Sequence, residues 1–303
     1  WAVPDVVLRC GYVALAGRPN VGKSTLLNHL LRQKLSITSR KPQTTRHVLL
    51  GVDTEGDHQA IYVDTPGIHD HARREMNRQM VRAATAVLAD VDLVLMVLDR
   101  DAWTPADELV LEHLRAHDVP CFAVINKVDL MARKDALLPL IAELDGRGVF
   151  EEIFPVSALR GTGLEDLRRA VFARLPEQEH LFPPDQVTDS SERFLVSEIV
   201  REKLMRRLGD EVPHHLTVVI DAYDETPTLV DIAATVYVER AGQKRIVIGQ
   251  GGEKIKQVGR EAREDVERLL EKRVMLRLWV KVRPGWSQTA AGLRRVGYDP
   301  GSG

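Results

Sequence analysis

Residues 17–24 read Gly17-Arg18-Pro19-Asn20-Val21-Gly22-Lys23-Ser24, followed by Thr25. Few folds can use this string. Its glycines let the backbone curl so that successive N–H groups face one point, and a helix must begin at once to add its positive dipole end. An apolar strand is therefore needed before it and an amphipathic helix after it. Tyr12 to Ala16 supplies the strand, and Leu26, Leu27, Leu30 and Leu31 give the following stretch a helical face. The loop reads as a phosphate cradle in which Lys23 reaches the β- and γ-phosphates and the Ser24 hydroxyl binds Mg²⁺.

Three further strings follow in an order that extends this chemistry. Asp64-Thr65-Pro66-Gly67, with Ile68 next, closes an apolar strand roughly 40 residues after the lysine. An Asp before Pro-Gly is a common turn. At this spacing it places Asp64 by Mg²⁺ and the Gly67 N–H by the γ-phosphate. Asn126-Lys127-Val128-Asp129 follows the apolar stretch from Cys121 to Ile125. The Asp129 carboxylate can accept two hydrogen bonds from guanine, and adenine would leave it unpaired. Asn126 is expected to brace the loops and the Lys127 stem to lie over the base. Ser157-Ala158 after the next strand completes the base pocket.

Between the first two strings lies Gln43-Thr44-Thr45-Arg46. One of its threonines is expected to complete the Mg²⁺ shell, and Thr45 is favoured over Thr44. Phosphoryl transfer needs positioning and charge neutralisation more than covalent chemistry. The expected catalytic set is Lys23, Thr45, Gly67 and Asn20. Ras-like enzymes orient water with a Gln after Asp-x-x-Gly, but Ile68 stands here. Slow hydrolysis that depends on a partner or a cation follows, and Asn20, which stands where related GTPases with a hydrophobic residue after this glycine bind a monovalent cation, is the candidate ligand for K⁺ beside the phosphates.

The order of elements in this part is strand–helix alternation. Helical faces fall at 23–31, 81–88, 106–116, 137–144 and 164–175; strands fall at 12–16, 48–52, 60–63, 93–98, 121–125 and 153–156, with Gly56-Asp57 as a hairpin turn. This predicts an α/β domain with a mainly parallel sheet and helices on both faces. Ligands of such sheets bind beyond the strand C-termini, where every string above falls. A Pro-rich polar stretch from Pro176 to Ser191 then separates a different pattern: helix 194–208, strands 216–222 and 229–238, helix 252–270 and strand 274–282. The expected division is a nucleotide domain at 1–176, a linker at 177–191 and a smaller α+β domain at 192–303.

The second domain carries Ile248-Gly249-Gln250-Gly251-Gly252-Glu253-Lys254-Ile255, the I-G-x-x-G-x-x-I form of a KH loop. Such loops set backbone N–H groups against single-stranded phosphates and clamp about four nucleotides. Ile248, Ile255 and the adjoining strand are expected to form an apolar groove for bases. Neither Gln250 nor Gly251 is basic, so affinity leans on Lys244, Arg245, Lys254 and Lys256. Net charge is −2 overall, yet residues 1–189 hold 22 basic and 27 acidic side chains, and residues 190–303 hold 20 and 17. The basic excess lies where an RNA backbone needs it.

No apolar run approaches the ~18 residues of a membrane span. The N-terminus shows no basic stretch followed by a long apolar one, and it opens at Trp1 rather than Met. Cys10 and Cys121 lack motif spacing and read as buried free thiols in the cytosol. His214-His215 and His69-Asp70-His71 show no metal-ligand pattern. Met76, Met80 and Met205 read as packing residues, and Trp279 and Trp286 as packed against the sheet rather than stacked on bases.

The chain resembles the Era family of bacterial ribosome-assembly GTPases, a TrmE-Era-EngA-type GTPase domain with a type II KH domain. Beyond the generic strings, the likeness rests on Gln43-Thr44-Thr45-Arg46-His47, Arg193-Phe194, residues 197–204 (SEIVREKL), residues 278–282 (LWVKV) and the closing Gly297-Tyr298. The resemblance implies GTP hydrolysis and binding to the 3′ end of small-subunit (16S) rRNA. It also implies maturation of the 30S precursor, a monomer, and peripheral association with the inner membrane. Two rivals remain at this point: a GTPase whose C-terminal domain docks a protein, and an ATPase or nucleotide kinase sharing the phosphate loop.

Overall fold

The computed structural model describes residues 7–39, 41, 44–68, 75–100, 102–209 and 212–296. Gln43, His69, Asp70, His71, Gly297 and Tyr298, and the His214 side chain, lie outside the described residues.

The first body is a six-stranded sheet. Its strands are β1 (Arg9–Ala16), β2 (Leu49–Glu55), β3 (His58–Asp64), β4 (Leu93–Asp99), β5 (Cys121–Asn126) and β6 (Glu152–Pro155), in the order β2-β3-β1-β4-β5-β6. All neighbours are parallel except the β2–β3 hairpin. Strand order reverses at β1, and a doubly wound sheet opens its crevice at that point. The helices are α1 (Lys23–Leu30), α2 (Glu75–Val87), α3 (Pro105–Arg115), α4 (Leu138–Gly146) and α5 (Leu164–Arg174). Separate buried clusters cover the two sheet faces, one built around α1 and α5 and the other around α2, α3 and α4. That double cover explains why β4 and β5 are buried at every residue and read as continuous apolar runs.

The second body begins with α6 (Glu192–Arg207), capped by the Ser191 hydroxyl on the Phe194 N–H. It continues as β7 (Leu216–Glu225), β8 (Leu229–Val238), α7 (Ala241–Ile248), α8 (Glu253–Leu270) and β9 (Arg273–Val282). The sheet order is β7-β8-β9, with β7 antiparallel and β9 parallel to β8. A short α9 (Ala290–Arg295) follows, an element the sequence pattern did not suggest.

The segment between the bodies lies bound along the first sheet. The fully buried Gln59 carboxamide accepts from the N–H groups of Leu181 and Phe182 at 2.9 and 3.0 Å and donates to the Phe182 carbonyl at 2.8 Å. Val52 N–H donates to the Val187 carbonyl at 2.8 Å, and the Thr188 hydroxyl to the Leu50 carbonyl at 2.6 Å.

A further contact joins the bodies. Met76 and Met80 of α2 pack with Trp286, Leu293 and Val296. Trp286 is buried as the sequence suggested, but Trp279 is 46% exposed. Trp279 alternates with Val280 and Leu278, which face the helices, so the pleat turns it outward.

Candidate nucleotide site and RNA groove

The loop after β1 enters α1 through Gly22, whose φ of 103° is left-handed; a Cβ there would lie 2.3 Å from the Asn126 amide nitrogen. Gly67 approaches the same loop so closely that a Cβ would lie 2.8 Å from the Pro19 nitrogen. The two glycines bring the phosphate loop into contact with the base-pocket string and with the Asp64 string.

Lys23 donates to the carbonyls of Gly17 and Arg18 at 2.9 and 3.1 Å. Burial pushes its ammonium down to a pKa of about 8, with Asp64 opposing the shift. The Ser24 hydroxyl donates to Asp64 Oδ2 at 2.7 Å and lies 2.7 Å from Thr45 Oγ1. Thr45 Oγ1 itself is 3.5 Å from that carboxylate. Asp64 Oδ1 is buried without a partner, and burial pushes the carboxyl above its ordinary range. An all-oxygen set with an orphaned carboxylate oxygen fits a small hard cation such as Mg²⁺. Ser36, which no motif marked, also donates to Asp64 Oδ2, at 2.8 Å.

Asn126 braces three loops. It donates to the Val21 carbonyl at 2.8 Å and accepts from the Ala158 and Lys127 N–H groups at 2.9 and 2.7 Å. Lys127 has a left-handed φ of 66°, and its ammonium reaches Asp99 at 2.5 Å. The buried Ser157 hydroxyl donates to Asp129 at 2.6 Å and orients that carboxylate.

These strings enclose a cavity of about 860 Å³. Pro19, Asn20, Gly22, Lys23, Ser24, Thr25, Thr45, Gly67, Asn126, Lys127, Asp129 and Ala158 line it. Gly17, Arg18, Val21, Asp64, Thr65, Pro66, Val128 and Ser157 stand behind that wall. Arg18 turns to the Asp107 carboxylate at 3.1 Å, and the Thr65 hydroxyl donates to the Leu15 carbonyl at 2.8 Å. Ile68 is 1% exposed and packs in the core on the α2 side, so its side chain orients no water. Asn20 is exposed with a left-handed φ of 68°, lines the cavity, and has no side-chain hydrogen bond among the described residues. Leu130 and Leu159, 62% and 68% exposed, flank the base end and were not singled out in sequence.

One wall comes from the other body: Met205 and Arg206 of α6 line the cavity beside Ile37, Thr38, Ser39 and Lys41. Glu202, fully buried on α6, accepts from the Thr38 N–H at 2.9 Å and from Lys34 at 2.6 Å. Arg201 donates to the Thr44 carbonyl at 2.5 Å, and Arg46 to the Leu216 carbonyl at 2.7 Å. His47 is packed edge-on against Phe194, and burial pushes its pKa down to about 4, so it stays neutral.

A second cavity, of about 830 Å³, lies between α8 and β9. Ile255 and Lys256 line it together with Leu276 and Leu278, the apolar side of the expected groove. Ile248 packs inward instead, and Lys244 and Arg245 sit on α7, away from its lining. The Gly249-Gln250-Gly251-Gly252 turn joins α7 to α8, with Lys254 in the first turn of α8. Arg260 supplies a further cation, and Arg263 and Arg273 two that the sequence reading did not assign. The signal was present: 256, 260 and 263 fall at i, i+4 and i+7, one face of a helix.

Fold and site together define a phosphate-loop GTPase joined to a KH domain. Comparison with known proteins agrees. A family model described as 50S ribosome-binding GTPase matches residues 12–127, and a KH domain model matches residues 211–287. The chain is 52% identical over 292 residues to GTPase Era of Ectopseudomonas mendocina, covering 96% of this chain and 98% of that protein. It is 53% identical over 291 residues to GTPase Era of Azotobacter vinelandii, with 96% and 97% covered. Two solved structures superpose with a TM-score of 0.93 at 39% identity, covering 96% of this chain and 99% of theirs. One is an Aquifex aeolicus Era variant bound to GDP·AlF4⁻; the other is Era in complex with MgGDPNP and nucleotides 1506–1542 of 16S ribosomal RNA. The chain belongs to the GTPase Era family.

Proposed function

We propose that this GTPase binds GTP and Mg²⁺ in the first cavity and the 3′ end of 16S rRNA in the second, and that the two sites are coupled during maturation of the 30S precursor. The observation that carries the coupling is the hold of α6 on Lys34, Thr38 and Thr44, with Arg46 bound to the Leu216 carbonyl of β7. Those residues flank Thr45, and α6 also pairs with α8 of the RNA groove through Lys203 and Asp265 at 2.5 Å. The proposed bodies are 1–176 and 192–303, with 177–191 as the strap between them.

In this reading, loop N–H groups and Lys23 hold the phosphate chain, and Ser24, Thr45 and Asp64 hold the metal. Mg²⁺, when bound, neutralises charge on the β- and γ-phosphates. Asp129 selects guanine and Gly67 meets the γ-phosphate. With Ile68 buried, no side chain of that string positions water, and in this reading Asn20 holds K⁺ beside the phosphates. The protein acts as a monomer in the cytoplasm. No helix among the described residues is long and apolar enough to cross a membrane, so the inner-membrane association that the family implies would be peripheral.

The test is RNA binding in each nucleotide state. RNA spanning nucleotides 1506–1542 of 16S rRNA should bind more tightly with GDPNP than with GDP, and by linkage it should tighten GDPNP by the same factor. Equal affinities in both states would sink the coupling.

A further inference from the structure

Arg206 belongs to the KH-side helix α6, yet it lines the nucleotide cavity. Its guanidinium is anchored: Nε and Nη2 donate to the Thr38 carbonyl, each at 3.2 Å, and Nη2 also reaches the Thr38 hydroxyl at 3.0 Å and Glu202 at 2.8 Å. Nη1 has no partner among the described residues, and the side chain is 47% exposed. The other cations on this wall are engaged. Lys127 is neutralised by Asp99, and Lys41 is turned to the carbonyls of Leu208 and Gly209. Glu202 is shared by Lys34 and Arg206, and Lys34 has a second carboxylate in Asp265. The idle N–H on the α6 side of the cavity is that of Arg206.

We infer that Arg206 contacts the phosphate chain of the bound guanine nucleotide, so that the RNA-binding body contributes a nucleotide ligand of its own. This rests on the nucleotide reading above. The chemistry is a charge-assisted hydrogen bond from a planar fork whose other edge is fixed by Thr38. Occupancy of the phosphate position is then sensed on α6 directly, as well as through the residues around Thr45. Because GDP and GTP share the chain up to the β-phosphate, the contact strengthens both and shows as affinity rather than as turnover.

The experiment compares wild type, Arg206→Gln and Arg206→Lys in the full chain, measuring GDP affinity by calorimetry across KCl concentrations. Gln keeps a donor for Thr38 and loses the charge. The expected loss for Gln at low salt is about tenfold, the size of one partly exposed charge-assisted bond. Lys should recover most of it, and the Gln variant should show a shallower salt dependence of GDP affinity than wild type. A Gln variant that binds GDP like wild type overturns the inference, as does equal loss in Gln and Lys with an unchanged salt slope, which would mark a role in shape alone. Wild-type protein that binds no GDP would instead remove the nucleotide reading itself.

Discussion

Lys34 and Asp265 stand 231 positions apart in the chain and 2.8 Å apart in space. One lies just after α1 of the phosphate loop; the other lies on α8, whose side chains line the proposed RNA groove. The same ammonium also meets Glu202 at 2.6 Å, so three elements from two bodies converge on one side chain.

Lys34→Met removes that junction while keeping the length of the stem. GDPNP should then improve RNA affinity by a factor several-fold smaller than in wild type, within the 1–3 kcal/mol range of couplings between sites. Basal hydrolysis without RNA should change little, since Lys34 does not line the cavity. Filter binding of RNA with GDP and with GDPNP measures both arms, and an undiminished ratio counts against this junction.

Lys23 gives a pH dependence. Its ammonium falls from an ordinary value near 10.5 to about 8 through burial. Below pH 8 it is charged in both folded and unfolded chains, and the cost of burying it is fully present. Between about 8 and 10.5 the folded chain gives up its proton first, so this group makes the nucleotide-free protein more stable as pH rises. Nucleotide phosphates favour the charged form, so binding takes up a proton above pH 8. GDP affinity should therefore fall with rising pH there, approaching tenfold per unit. Calorimetry in buffers of different ionisation enthalpy would reveal the uptake, and a flat profile from pH 7.5 to 9.5 would contradict it.

Gly251 offers a clean lesion in the RNA loop. It has a φ of 59°, which Asp tolerates better than most residues, and a Cβ there would meet nothing within 4 Å. Gly251→Asp should lower the midpoint of thermal unfolding by only about 2–4 °C, the effect of about 1 kcal/mol for a side chain at left-handed φ. It should weaken RNA binding by at least about tenfold, because a carboxylate then faces a phosphate path across a distance of weak screening. Unchanged RNA affinity would place the RNA path elsewhere.

Trp286 tests the contact between α2 and the C-terminal segment. It is 1% exposed and packs with Met76 and Met80. Trp286→Ala should cost about 3 kcal/mol or more, the usual range for emptying a large core site. Differential scanning calorimetry should show a midpoint several degrees lower. A shift within a degree would mean that this cluster is readily repacked.

Much of the fold was legible because local signals agreed. The apolar runs of β4 and β5 and the leucine spacing of α1 each point to one element. The nucleotide strings were legible because their chemistry needs fixed neighbours in sequence. What escaped depends on distant packing. Ser36 joins Asp64 only because the Asn28 carboxamide holds the Leu35 and Ser36 N–H groups at 2.9 and 2.8 Å, a local device with no wide signature. Arg206 and Glu202 read as ordinary charges on a helix until the second body is set against Thr38. Trp279 was misplaced for another reason: strict alternation along β9 with Val280 put it on the outer face, and its size alone suggested burial.

The strap has a mechanical consequence. Thr188 is still fastened to β2, and α6 begins at Glu192 after its Ser191 cap. The unfastened tether is therefore only a few residues long, too short to let the RNA-gripping half wander. Rearrangement must be a pivot about a nearly fixed point, and surfaces that separate during a cycle remain at high effective concentration for each other. A leash of this length makes re-engagement after each round fast and geometrically reproducible.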